Sequence, residues 1–450
     1  IFDSFRGLGA PLQLYLSREN NLVRFSLTEN ETSNHTVVLA DSGSGKSAFI
    51  IDCIQAAKRQ TPEPLVFVID KKSSYAMLAE YFDADMTVFR PGKKSPFSPF
   101  RGLVDDEKIA FLTNLISTAI RLMNPIFALD STHTAAISKS IKLAYQKKTL
   151  QAQTGYGEGR FFEQAADSPI DVTMDDVVTE LAALTSEEKF EFAAVQTQEL
   201  IQKLTPFYGD GIYANYFRSG PAKESYDGPK SFYIYDLDPL DSDATIQVLM
   251  TMAVIEEIRR IIRLPENKGR GGFIVLEELG MLGRDNPTAS HFILDAAETF
   301  RKLGFWLIGL TPLPQNYFEL EAGKAMWGVA DNFIFLQMSA DNVEYLKKHS
   351  GLIDEANGEI IQSLRTERGS HADVYYLNKK KTRQGAFRYF QTALDRWLAP
   401  TNLKDSAAAE SALRQFEGQK WQALEFLART YPAGGANPGE TPNPIPKGTE

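Results

Sequence analysis

Short apolar runs bounded by turn residues alternate along much of this chain with stretches of helical spacing. Thr36 to Ala40 (TVVLA) is a β-rich run leading into a Gly/Ser-rich turn, and the spacing after it predicts an amphipathic helix from about Lys46 to Arg59. Leu65 to Asp70 (LVFVID) reads as a second buried strand ending in a carboxylate. Ser231 to Leu237, Phe273 to Glu278 and Phe305 to Leu310 repeat that pattern, with helices predicted over Ala244 to Arg263 and His291 to Leu303. Continuous apolar runs of this length, separated by helices, are the signature of parallel strands covered on both faces. Asn332 to Gln337, Ala372 to Tyr376 and Ala386 to Phe390 are expected to add edge strands, and a last helix is expected from about Ser406 to Arg429.

Between about Asp105 and Leu204 the rhythm changes. Asp105 to Leu122 and Met174 to Leu184 have helical spacing and β-branched runs are scarce, which predicts a helical block. Thr173 followed by Asp176 resembles a capping box opening the second of these helices. Gly155 to Gly159 (GYGEG) reads as a turn or flexible loop inside the block, and Ser95 to Phe100 (SPFSPF) as a loop, since two prolines in six residues suit neither helix nor central strand. The expected organisation is an α/β, doubly wound core interrupted by an all-α subdomain. Its first part covers 1–100, the helical insertion 101–226, the second part 227–400, a C-terminal helix 401–432 and a disordered tail 433–450, where Pro and Gly abound and apolar residues are few.

Composition narrows the class only modestly. At 450 residues, 43% of them hydrophobic and 24% charged, the chain has the make-up of a soluble globular protein. The formal net charge of -10 argues against a surface dominated by nucleic-acid contacts, which need clustered Lys and Arg, but leaves room for a local basic channel. The single cysteine, Cys53, forms no internal disulfide and is expected as a small buried side chain in a reducing compartment. No apolar run has the length of a membrane span, and no signal peptide is evident. The chain starts at Ile1 and runs straight into folded-looking sequence, so a piece of a longer protein is expected.

The sharpest chemical signal is Ala40-Asp-Ser-Gly-Ser-Gly-Lys-Ser47, between a predicted strand and a predicted helix. It follows the P-loop pattern except that Ala40 stands in place of the first glycine, a position that only needs to be small. Gly43 and Gly45 let the backbone turn N–H groups toward phosphate oxygens, and the start of the next helix adds its positive dipole end. Ser42, Gly43, Ser44, Gly45, Lys46, Ser47 and Ala48 are therefore the candidate nucleotide-binding residues. Lys46 is expected on the β- and γ-phosphates and the Ser47 hydroxyl on magnesium. A P-loop enzyme also needs an acidic strand end, and FIVLEE supplies Glu277 and Glu278. Glu277 stands where Asp is usual and is the candidate for holding the metal's water shell. Glu278 is the candidate general base. Asp70 and Asp236, at the ends of other apolar strands, are weaker candidates, with helix caps or turn formation as their alternative roles. The five histidines have no metal-ligand spacing, and no nucleophile triad is evident.

Taken together, these residues resemble the VirB-type, TraC-like energising ATPases of type IV secretion and conjugation systems, in the HerA/FtsK group of RecA-like motors. Asn34-His35-Thr36 through Ser47 is similar to the family's opening strand and P-loop, and Asp70 to Tyr75 to its Asp-x-x-x-Ser-Tyr. Pro96 to Phe100 resembles its Asn-Pro-Phe loop, Tyr213 to Phe217 its Gly-x-Tyr-x-x-Leu-Phe region, Arg301-Lys302 its Arg-Lys pair and Arg368-Gly369 its late Arg-Gly. Where the family has Thr-Gln, this chain has Thr311-Pro312 with the nearest glutamine at Gln315. With Ala40 and Glu277, that departure suggests a divergent branch such as the Dot/Icm-like one.

The resemblance implies a RecA-like core with ATP and Mg2+ as ligands, and His35 packed or hydrogen-bonded near the P-loop strand. It implies Arg301 and Arg368 as candidate arginines completing a neighbour's site. It also implies a hexameric homo-oligomer working with other subunits of a secretion apparatus, cytoplasmic and held indirectly at the bacterial inner membrane. Two alternatives stay open at this point: a DNA translocase or coupling-type motor of the same group, and a nucleotide-binding scaffold with weak hydrolysis.

Overall fold

The computed structural model describes residues 13–28, 33–60, 62–71, 75–101, 104–154, 171–184, 194–218, 230–277, 287–367, 370–398, 400, 403–417 and 419–435. They form two units, one from residues 1–87, 228–236 and 262–450 and the other from residues 88–227 and 237–261.

The first unit is built on a sheet that holds twelve strands among the described residues. In chain order these are β1 (Gln13–Leu16), β2 (Leu22–Phe25), β3 (Thr36–Leu39), β4 (Leu65–Asp70), β5 (Asp85–Val88) and β6 (Phe232–Asp236), then β7 (Gly272–Leu276), β8 (Phe305–Thr311), β9 (Asn332–Phe335), β10 (Thr366–Glu367), β11 (His371–Asn378) and β12 (Gln384–Phe390). The spatial order is β2-β1-β12-β11-β9-β3-β8-β7-β4-β6-β5, with β10 paired to β11. From β9 through β3, β8, β7 and β4 to β6 the pairing is parallel. Every residue of β3, β4, β6, β7 and β9 is buried. That is the physical content of their uninterrupted apolar runs: helices cover both faces, so no position needs to be polar.

Three stretches expected as edge strands lie inside the sheet. β9 pairs directly with β3, with Thr36 opposite Asn332 and Leu39 opposite Phe335. β11 and β12 follow in antiparallel pairing, and β12 passes the sheet on to β1 and β2. The hairpin β1–β2 fixes the true edge on that side. Leu14 and Leu22 face outward while Val23 and Phe25 enter the core, the alternation of a half-covered antiparallel sheet.

The helices of this unit are α1 (Lys46–Ala57), α2 (Ala76–Tyr81), α8 (Pro287–Lys302), α9 (Gln315–Phe318), α10 (Glu321–Val329), α11 (Ala340–His349), α12 (Glu355–Gln362), α13 (Ala393–Leu398), α14 (Leu403–Gln415) and α15 (Lys420–Thr430). The expected single terminal helix is thus two, α14 and α15, broken where Glu417 takes a φ of 52°. One apolar core joins α1 and α2 to these last helices through Phe49, Ile50, Leu78, Trp397, Leu424 and Leu427. Cys53 is free and buried within it. Residues 436–450 lie outside the described residues, as does the Gly155–Gly159 turn.

The second unit is helical, with α3 (Asp106–Met123), α4 (Ser131–Thr154), α5 (Met174–Leu184), α6 (Ala194–Leu204) and α7 (Ala244–Ile262). The capping box opens α5 as its sequence pattern suggests: the Thr173 N–H donates to Asp176 Oδ2 at 2.9 Å, and the Asp176 N–H returns to Thr173 Oγ1 at 3.4 Å. Arg218 grips Asp175 through two nitrogens at 3.0 and 3.1 Å, fixing the chain after the Tyr213–Phe217 region against α5. Among the described residues no helix is long and apolar enough to cross a membrane.

Candidate nucleotide site

Strand β3 ends at Leu39 and α1 begins at Lys46, leaving six residues to reverse the chain over the C-terminal edge of the sheet. Gly43 and Gly45 make this turn possible, at φ 81° and 91°. A Cβ at Gly45 would meet the Ala372 methyl at 3.6 Å, an ordinary contact, so glycine is needed there for its backbone angle rather than for space. Ala40 is wholly buried, which accounts for a small residue at that position. Ser44 Oγ donates back to the Asp41 carbonyl at 2.6 Å and tightens the loop. Ser42 and Gly43 are exposed at its tip, while Lys46 is buried at the first turn of α1.

The loop is also tied from outside. Asp41 accepts from the Ser339 N–H and the Asn342 amide, both at 2.8 Å, and so caps the start of α11 with its carboxylate. The Thr366 hydroxyl donates to the Ser44 carbonyl at 2.9 Å, and the Thr366 N–H donates to Gln337 Oε1 at 2.8 Å. Tyr389 OH reaches the Ala48 carbonyl at 3.3 Å. The sequence pattern does not single out Asp41, Gln337, Thr366 or Tyr389, because each acts through a partner 29 to 341 residues away in the chain. A cavity of 530 Å³ opens beside the loop.

On the other side of β3 lie β8 and then β7, whose end carries Glu277 two strands away, about 10 Å. Glu277 is buried, and its carboxylate accepts from Tyr75 OH at 2.7 Å. Burial first, then the neighbouring Glu277 charge, pushes the Tyr75 hydroxyl well above its ordinary pKa, so it remains a donor. The Tyr75 N–H in turn donates to Asp70 Oδ2 at 3.2 Å, which gives Asp70 the turn-forming role among its alternatives. Asp236 lies beside Asp70 in the register of β6 and β4. Between the P-loop and Glu277, at the end of β8, Thr311 is fully buried and accepts from the Asn316 amide at 2.8 Å. The polar pair at this strand end is therefore Thr311–Asn316. Gln315 begins the short helix α9, with its amide oxygen shut from solvent and making no hydrogen bond among the described residues.

His35 does stand at the opening of β3. Its Nδ1 accepts from the Leu307 N–H at 2.9 Å, so Nε2 carries the proton and faces the Ala297 carbonyl at 3.2 Å. Burial, with some help from the Arg301 charge, pushes its pKa down to about 4. Arg301 itself is exposed on the last turn of α8, at the N-terminal edge of the sheet. The structure therefore gathers Ser42 to Ala48 and Glu277 at one edge and leaves Arg301 at the other. Glu278, Arg368 and Gly369 lie outside the described residues.

The donor set fits a nucleotide with magnesium: N–H groups at a helix start turned by two left-handed glycines, a hydroxyl at Ser47 and a buried carboxylate at Glu277, all hard oxygen or amide partners. Among solved structures, VirB4 of Thermoanaerobacter pseudethanolicus matches with a TM-score of 0.65 at 16% identity, over 86% of this chain and 97% of that one. The bacterial conjugative coupling protein TrwB, lacking its N-terminal segment, matches with a TM-score of 0.52 at 12% identity, over 86% and 94%. TrwB with ADP and Mg2+ matches with a TM-score of 0.50 at 12% identity, over 85% and 96%. At these identities the likeness establishes the fold, the expected RecA-like P-loop architecture. No curated protein sequence matches. The model of the TraG P-loop domain family matches residues 4–305, two thirds of the chain and the whole span from before the P-loop to the start of β8, and the chain belongs to that family.

Proposed function

We propose that this chain is the motor domain of an ATPase that energises a type IV secretion or conjugative transfer apparatus, using ATP hydrolysis to drive substrate transfer or pilus assembly. The observation that carries the reading is the pairing of a left-handed Gly43/Gly45 loop at the start of α1 with a buried Glu277 held by Tyr75 on the same sheet edge. Backbone N–H groups from Ser42 to Ala48 bind the phosphates, and Lys46 neutralises charge on the β- and γ-phosphates. Ser47 and Glu277 hold magnesium, which when bound offsets the charge that builds up on the transferred phosphoryl group. Glu278 orients and deprotonates the attacking water, and an arginine from a neighbouring copy, Arg301 or Arg368, completes the site. That division of labour requires a homo-oligomer, for which a hexamer is the reading, docked at the inner face of the membrane through partner subunits. TrwB solved with ADP and Mg2+ supports the ligand pair.

A second reading, a DNA-translocating or coupling-type motor, is favoured by the likeness to TrwB, a conjugative coupling protein. ATP turnover by the purified protein, with and without single- and double-stranded DNA, separates the two. Turnover abolished in Lys46→Ala and indifferent to DNA is expected; strong stimulation by DNA moves the assignment to the second reading. Glu278→Gln is expected to bind ATP and lose turnover, and normal hydrolysis by that variant removes Glu278 as the base.

A further inference from the structure

The P-loop strand has different neighbours on its two sides. β8 and β7 bring Thr311 and Glu277, the reacting end, while β9, β11 and β12 lie on the other side. The 530 Å³ cavity opens on that second side, within the size range of small-molecule sites. Its floor is the outer face of the P-loop, and its far wall comes from residues late in the chain: Tyr389 and Gln391 at the end of β12, Arg396 on α13, Asp405 on α14 and Ala433 beyond α15. The Trp397 indole N–H donates to the Tyr431 carbonyl at 3.0 Å, and the Gly435 N–H donates to Asp405 Oδ1 at 2.7 Å, so the segment bearing Ala433 is held at both ends.

We propose that this wall is the nucleoside subsite, and that the carboxy-terminal residues, not the P-loop, read the sugar and base; this rests on the nucleotide reading above. A phosphate chain laid over the start of α1 with its terminal phosphate toward Glu277 must direct its other end to the β11–β12 side. The wall suits that end and not more phosphate. Glu367 at the cavity is acidic and exposed, which repels phosphate but accepts from ribose hydroxyls or a base amine. Arg396 offers a planar cation for stacking on a purine. The Gln391 amide is half-buried at the cavity and carries both a donor and an acceptor, the pair that a base edge requires.

Calorimetric titration with Mg-ATP and with inorganic tripolyphosphate tests this, because the second ligand has the phosphates alone. Gln391→Ala and Arg396→Ala are each expected to weaken ATP binding tenfold or more and leave tripolyphosphate unchanged, whereas Lys46→Ala weakens both. Gln391 is half-buried just past the end of β12, where a shortened side chain leaves the strand pairing intact, so its variant reports on the subsite even where Arg396→Ala fails to fold. ATP binding unchanged in Gln391→Ala and in folded Arg396→Ala, or both ligands weakened alike, overturns the subsite while the nucleotide reading stands. A wild-type protein that binds neither ligand overturns that reading and the subsite with it.

Discussion

At the scale of single residues, the departures from the P-loop pattern are where sequence says least and geometry most. Glu277 in place of Asp lengthens the side chain by one methylene, about 1.5 Å. Tyr75 meets the displaced carboxylate from the loop after β4, with its hydroxyl at 2.7 Å. Nothing local in the sequence joins these two residues, which lie 202 positions apart. A buried carboxylate that loses a charge-assisted donor loses about 1.5–3 kcal/mol of fixed orientation energy. Tyr75→Phe is therefore expected to lower turnover by about tenfold or more while nucleotide binding without magnesium is unchanged. Measured turnover together with magnesium-free affinity checks it. Equal loss of both would mean that Tyr75 merely supports the fold, and no loss would mean that Glu277 is held by other groups.

Among the elements, the parallel strands were legible because full burial on both faces writes an unbroken apolar run: Leu65–Asp70 was located to the residue, and Phe305–Thr311 within one. What a run does not record is its neighbour. Asn332–Phe335 is only four residues long with a polar start, and it reads as peripheral until the register sets it against the P-loop strand. The site was legible to the same extent: Ser42 to Ala48 could be read as a contiguous motif, while Asp41, Gln337 and Thr366 act on it from separate elements. His35 shows how such elements are joined. Its ring bonds α8 and β8, and its carbonyl accepts from the Asp331 and Asn332 N–H groups at the start of β9. The ring is neutral in the fold, with a pKa near 4 against an ordinary 6.5. Below pH 6.5 the unfolded chain takes up a proton that the folded chain refuses, so this residue's stabilisation is present above 6.5 and is lost as pH falls toward 4. The loss amounts to about 3 kcal/mol at most. Thermal unfolding of wild type and His35→Asn across that range should show the wild-type advantage shrinking on acidification. A constant difference between the two would show that His35 is not a buried neutral ring.

For the molecule as a whole, the question is which residues serve their own site and which serve another copy. Arg301 sits before β8, while Thr311 and the P-loop lie at that strand's far end, about 20 Å away along seven residues. A guanidinium on a side chain of ordinary reach does not span that gap, so Arg301 has no part in the phosphates bound by its own chain. If it acts in catalysis at all, it acts on a neighbour across a head-to-tail interface, the kind that closes into rings. Complementation between two inactive variants decides this. Lys46→Ala keeps Arg301 but cannot bind phosphate, and Arg301→Ala keeps the P-loop but lacks the arginine. When the two are mixed under assembling conditions, about a quarter of the interfaces in a statistical ring bring an intact P-loop to an intact arginine, and turnover should rise well above that of either protein alone. Mixing that restores nothing removes Arg301 from the neighbour's site, as does an Arg301→Ala protein that turns over ATP at the wild-type rate. The trans role then passes to Arg368, to be tried in the same mixture.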